Sequence, residues 1–235
     1  MKISIAIISA LLASVSVLAA DAAIVFTHAR FVDGDRSMQN LVEFPDIGSD
    51  IEITVSCAGH ATAKGRLRDT RCSAPNDPEL AFTMAVSRRF NAARLVPATV
   101  NGKAEQVDFQ FIVIFRKSGE DESITIYPHN MKNADRLGMD YIGAQRYSVH
   151  PWPERCGDLH LDDLIMEVAI VNELGTARDF DVMAANFGLS GSCREGFASH
   201  LKSGRWIPAS HQGQYVESVW ANPRVFSKQP YKRQQ

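Results

Sequence analysis

The chain has no Cys-x-x-Cys pair, no phosphate-cradling glycine loop, no excess of either charge, and no long apolar run after residue 18. The first absence leaves a zinc ribbon or a thioredoxin-like redox motif without support. The second does the same for nucleotide binding through a P-loop. Lysine plus arginine number 25 and aspartate plus glutamate 27. The balance also holds locally, with 12 basic and 14 acidic side chains over residues 24–125 and 12 of each over 126–235. Nothing in that pattern attracts nucleic acid or an acidic membrane surface. The lack of a second apolar run excludes a membrane-spanning helix in the body of the chain.

A catalytic constellation is missing too. Gly188-Leu189-Ser190-Gly191-Ser192 stands one residue out of the Gly-x-Ser-x-Gly pattern and precedes a helix start, which accounts for its serines. Asp162 and Asp163 are adjacent ahead of a strand, where neighbouring side chains point to opposite faces and cannot share a reaction. The expectation is a chain with no enzymatic activity and no cofactor.

What is present begins with an export signal. Lys2 precedes sixteen uncharged, mainly apolar residues (3–18), followed by Ala19-Ala20-Asp21-Ala22-Ala23. The run falls short of the ~20 residues of a spanning helix, and cleavage after Ala19, Ala20 or Ala22 fits the small-residue rule. Residues 1–20 are therefore assigned to a signal peptide and the mature chain is expected outside the cytoplasm, periplasmic or secreted, with no integral membrane segment after cleavage. Four cysteines remain, Cys57, Cys72, Cys156 and Cys193, an even number in an exported chain, which suggests two disulfides.

The strongest organisational signal is an internal repeat. Arg94-Leu95-Val96-Pro97-Ala98 reads against Arg205-Trp206-Ile207-Pro208-Ala209 at an offset of 111. The same offset places Gly102 on Gly213, Ile114-Phe115 on Val225-Phe226 and Lys117 on Lys228. Each copy reads as β-β-α-β. In the first, residues 51–57 alternate apolar and polar, Lys64-Gly65 marks a turn, and 66–72 return as a more polar strand. Asp77-Pro78-Glu79 opens a helix reaching about Ala93, and 107–115 form a third strand. In the second, 164–171 and 177–183 are strands around the turn 172–175. Ser192-Cys193-Arg194-Glu195 has the form of a capping box, and 216–226 form the last strand. Pro223 cannot donate to a ladder, so that strand belongs at a sheet edge. The fold class expected is α+β. It consists of two tandem units, 21–122 and 123–235, each a small three-stranded antiparallel sheet packed on one helix.

The turn at Lys64-Gly65 sets Cys57 opposite Cys72, which leaves Cys156 to meet Cys193 at its helix start. Both bridges then lie within one unit, each contributing ~2–4 kcal/mol to a small core.

The segment Arg88-Arg89-Phe90 … Pro97-Ala98-Thr99-Val100-Asn101-Gly102-Lys103 … Phe115 resembles the C-terminal domain of the TonB energy-transducer family, as does Arg205-Trp206-Ile207-Pro208-Ala209 … Gln212-Gly213 … Pro223-Arg224-Val225-Phe226. The resemblance covers roughly residues 51–117 and 164–228. It lacks the transducer's membrane anchor and its proline-rich linker. It implies a Gram-negative envelope protein that binds a protein or peptide partner along its third strand by strand addition. Val107, Phe109, Phe111 and Val113 are the candidate binding residues.

Two alternatives are carried beside it. One is an envelope enzyme or metal-binding protein using His150, Glu154, Cys156, Asp158, His160, Asp162 and Asp163, with His150 and His160 as the candidate ligands. Their spacing fits no familiar ligand set, and Pro151 and Pro153 make the segment an extended connector. The other is a structural homodimer made by pairing third strands. Phe109, Phe111, Phe115, Trp206 and Trp220 are expected in the core. The strand 107–115 turns apolar on both faces toward its end, which predicts burial on two sides.

Overall fold

The computed structural model describes residues 24–148, 156, 163–184 and 188–225. The signal segment, His150, Glu154, Asp158, His160, Asp162 and Phe226 lie outside the described residues.

The first part of the chain runs β1 (Phe26–Thr27), β2 (Arg30–Phe31), α1 (Met38–Leu41), β3 (Ile51–Ala61), β4 (Leu67–Ser73), α2 (Ala81–Ser87), β5 (Leu95–Val96), β6 (Ala98–Val100), β7 (Lys103–Glu105), β8 (Val107–Ser118) and β9 (Asp121–Tyr127). There follow α3 (Ala134–Leu137), β10 (Tyr141–Ile142), β11 (Gln145–Arg146), β12 (Leu164–Val171), β13 (Ala177–Ala184), α4 (Gly191–Lys202), β14 (Trp206–Ile207), β15 (Ala209–His211), β16 (Gln214–Val216) and β17 (Ser218–Val225). Two antiparallel sheets dominate, ordered β4-β3-β8-β9 and β13-β12-β17. Short ladders, β1-β6-β7 with β2-β5 and β10-β15-β16 with β11-β14, flank them.

Period-two alternation builds the first core. Ile53, Val55 and Cys57 on β3 share a face with Phe111, Val113 and Phe115 on β8, to which they are paired in register. That face receives Phe82 and Val86 of α2, and the Phe82 and Phe115 rings meet edge to face at 4.9 Å. Phe82, Phe109, Phe111 and Phe115 are fully buried, each contributing ~1.5–3 kcal/mol by leaving water. In the second core, Ile165, Ala169 and Val171 of β12 pack with Cys193, Phe197 and Leu201 of α4 and with Trp206 and Trp220. Their spacing at four-residue steps puts the α4 side chains on one helical face. The bridges Cys57–Cys72 and Cys156–Cys193 form as expected, the first between directly opposed residues of β3 and β4.

The hairpin turns of the two sheets are locked alike. Gly65 (φ +66) and Gly175 (φ +75) each accept a backbone bond from the strand that follows the helix, Leu95 N–H at 3.0 Å and Trp206 N–H at 3.3 Å. A Cβ at either glycine would sit 2.2 Å from the carbonyl oxygen of Leu95 or Trp206. Only glycine combines that approach with a left-handed backbone.

Several expectations need correction. The first sheet has four strands, because β9 returns beside β8 through a tight turn at Gly119 (φ +60). The expected unit boundary at residues 122/123 falls inside β9. The first helix is shorter than 77–93. Pro78–Leu80 is a 3-10 turn in which Glu79 and Leu80 adopt φ +50 and +59, so α2 begins at Ala81 and ends at Ser87. Asp77 still caps it, its carboxylate accepting from the amides of Phe82 (3.0 Å) and Thr83 (2.7 Å). In the second helix the N-cap is Ser190 rather than Ser192, its Oγ accepting from Cys193 N–H at 3.4 Å. Cys193 then stands at the third helical position that a capping-box glutamate would need, so Glu195 cannot close one. The edge position of the Pro223 strand holds, since β17 pairs only with β12 among the described residues.

Candidate functional site

The two sheets meet through charge. Asp108 on β8 lies opposite His60 on β3, and His60 Nδ1 is 3.0 Å from Asp108 Oδ1. Asn222 of β17 donates to the other oxygen of Asp108 at 3.4 Å. Gln110 Nε2 donates to Asn222 Oδ1 (2.9 Å) and to the Ala221 carbonyl (2.7 Å). On the second sheet Glu167, fully buried opposite Asn222, receives Arg224 Nη1 at 3.4 Å and has Arg146 Nη1 at 3.7 Å. The Arg146 guanidinium, itself buried, lies 5.5 Å from the Trp206 ring and 5.9 Å from Trp220.

These neighbours set the protonation states. Burial pushes the His60 imidazole down, but the bond to Asp108 and its charge outweigh that, so His60 holds its proton above the usual range. Burial pushes the Asp108 carboxyl up, and the same partner, with Arg146 and Arg224, brings it below the usual value. Glu167 goes the other way: burial raises it against the pull of Arg224 and Arg146. The result is two guanidinium groups, two carboxylates and one imidazole in a nearly dry seam. The crevice beside it, lined by Gln110, His129, Asn130, Gln145 and Trp220, has room for about one water molecule. Fixed, buried charge of this kind acts as a positional pin between sheets.

A second set of contacts closes the outer edge of β17. Asn133 accepts from the Val219 amide and donates to its carbonyl, both at 2.9 Å, in the way a neighbouring strand would. Asn130 and Gln110 both donate to the Ala221 carbonyl, and Arg136 donates to that of Glu217. Side chains thus occupy the ladder positions that would otherwise recruit another strand.

The expected binding residues do not face outward. Val107, Phe109, Phe111 and Val113 are each 0% exposed and form the core beneath α2. Their strand is interior, paired with β3 on one side and, over residues 112–118, with β9 on the other. Burial on two sides does hold for β8, with Ile112 and Ile114 buried on the opposite face. The five aromatics expected in the core are all there.

The histidines are dispersed. His28 donates from Nε2 to the Pro208 carbonyl (2.6 Å), and burial lowers its pKa against that bond. His129 stacks on Tyr141 at 4.0 Å. His211 is half-buried in β15. No group of three metal-ligating side chains occurs among the described residues. Sequence reasoning missed Asp108, Glu167 and Arg146. The available signal was a lone charge inside each of two apolar strands, 107–115 and 164–171.

In the two main sheets, three outer strands besides β17 pair with no further strand among the described residues: β4, β13 and β9. β4 and β13 each carry a left-handed aspartate, Asp69 (φ +49) and Asp179 (φ +52), which breaks their extended run. β9 has no such interruption. The two-residue turn after Ser118 fixes the hydrogen-bonding parity, so Glu122, Ile124 and Ile126 direct their backbone groups away from β8. Of these, the Ile124 carbonyl accepts from Gln39 Nε2 at 2.5 Å.

No helix among the described residues is long and apolar enough to cross a membrane. In comparisons with protein families, curated proteins and solved structures, nothing matches the chain.

Proposed function

We propose that this chain is a non-catalytic binding protein of the bacterial envelope, built from two copies of one β-β-α-β unit. Each copy resembles the C-terminal domain of the TonB family, and the protein takes up an extended peptide segment by strand addition. Support for the duplication comes from parallel details. Both parts run hairpin, helix, short ladders and long strand in the same order. The Gly65 and Gly175 locks correspond, as do the left-handed Asp69 and Asp179. The turns Asn101-Gly102 and Gln212-Gly213 share φ values of +51 and +77. The two disulfides suit an oxidising compartment.

One observation carries the binding reading: β9 offers an unbulged seven-residue edge whose outward backbone groups are held, among the described residues, only by the Gln39 amide. Ile124 and Ile126 on it pack on the core and give an incoming strand apolar neighbours. The acceptor edge is thus β9 and not the third strand.

The test is photo-crosslinking in intact cells. A photoreactive residue replaces Ser123 on β9, and in controls Ser73 on β4 or Met183 on β13. A discrete adduct at 123, absent from both controls and lost when Glu122→Pro removes an outward donor, supports strand addition at β9. Equal labelling at all three positions, or none at 123, defeats it. An adduct of the chain with itself, matched by a dimer in light scattering, would replace the peptide partner with a second copy.

A further inference from the structure

Arg36, Arg66 and Arg94 come from three separate segments that backbone bonds hold side by side. The Arg94 amide donates to the Arg36 carbonyl at 3.0 Å, and Leu95 N–H donates to the carbonyl of Gly65, the neighbour of Arg66, at 3.0 Å. Arg94 is fixed in place: its Nη1 donates to the carbonyls of Asn91, Ala92 and Ala93 at 2.9, 2.8 and 2.7 Å. Its Nε and Nη2 make no hydrogen bond to the described residues, while Arg36 and Arg66 are exposed.

None of the three forms an ion pair with the described residues. Three other arginines in this part of the chain are matched, Arg30 with Asp33, Arg89 with Glu43 and Arg116 with Glu52. Asp35, next to Arg36, is exposed and in no ion pair among the described residues. After partial desolvation, the charges that act on Arg94 are those of Arg66 and Arg36, both repulsive. The fold therefore brings three like charges together, and no ion pair among the described residues neutralises them. A single carboxylate is matched by one guanidinium, as Glu52 is by Arg116. Three forks, one of them already immobilised, suit a tetrahedral dianion with several acceptor oxygens.

We propose that Arg36, Arg66 and Arg94 form a binding site for a phosphate group, carried on a soluble ester or on a lipid headgroup. The proposal is independent of strand addition at β9.

It is tested on the full mature chain by calorimetric titration with pyrophosphate and with inorganic phosphate, following arginine Nε–H resonances in parallel. Wild-type protein should bind saturably, with Arg94 Nε–H shifting. Arg36→Gln with Arg66→Gln, both at exposed positions, should weaken binding by about tenfold or more. Arg94→Lys, which keeps charge but loses the fork, should weaken it as well. Arg116→Gln, at a matched arginine, should leave it unchanged. Cosedimentation with vesicles bearing a phosphomonoester headgroup, against phosphatidylcholine vesicles, assigns the source. Retention on the former supports a headgroup, and binding of the soluble anions alone supports a free ester. No saturable binding of any phosphate, or equal weakening by Arg116→Gln, overturns the proposal.

Discussion

Replacing Glu167 by glutamine gives the sharpest test of the charged seam. Gln is nearly isosteric, so packing is kept and only the charge goes. Arg146, buried against two tryptophans, then loses its nearest carboxylate, as does Arg224. Leaving a buried charge unmatched costs ~3–5 kcal/mol. Arg224 is 19% exposed and can turn toward water, and Asp108 still acts on Arg146, so the lower end, about 3 kcal/mol, is expected. Against a typical stability of ~5–15 kcal/mol that is a large loss. Urea unfolding followed by tryptophan fluorescence should show a lower midpoint at an unchanged slope. Adding Arg146→Met should recover part of the loss, with a coupling of about 1 kcal/mol or more in the double-mutant cycle. Because burial raises the Glu167 pKa, the penalty should shrink in acid, where the wild-type carboxyl is itself protonated. A loss under about 1 kcal/mol at neutral pH, or strict additivity with Arg146→Met, would refute the account of the seam.

Two further outcomes follow from other parts of the fold. His60 has a raised folded pKa from Asp108, with Asp69 helping and Arg224 opposing, so its stabilisation is complete below 6.5 and disappears as pH climbs through the folded value. The stability gap between wild type and His60→Gln should therefore narrow from about pH 6 to about pH 9, and a gap that widens over that range contradicts the pairing. Gly175→Ala should cost about 2–4 kcal/mol, since the new Cβ meets a backbone carbonyl, whereas Gly213→Ala, equally left-handed but facing open space, should cost only about 1 kcal/mol; equal denaturation midpoints for the two variants would show that the turn-to-strand contact is not rigid.

Much of the backbone plan was readable from the chain alone. The alternation over residues 51–57 and 164–171, the turns at Lys64-Gly65 and Asn172–Gly175, and the edge role of Pro223 all depend on neighbours in sequence, where periodicity and turn chemistry act. The disulfide pairing followed because a hairpin sets its own cross-strand partners. Errors arose where distant segments intervene. β9 was passed over because its apolar face, Ile124 and Ile126, is short and needs β8 to complete it. The TonB resemblance puts a binding surface at Val107, Phe109, Phe111 and Val113, and the sequence offers no check on it, because an apolar strand reads the same whether it lies inside a sheet or at its rim.

Sequence by itself determined the cysteine bridges, the hairpins and the apolar faces, all products of local stereochemistry and pattern. Tertiary structure alone decided which strands became edges, which edges were closed by Asn133 and its neighbours, and that Asp108, Glu167, Arg146 and Arg224 would share one dry seam. Those outcomes rest on contacts between residues up to more than a hundred positions apart, such as Asp108 with Asn222, and a charge in a strand carries no mark of the partner that will neutralise it.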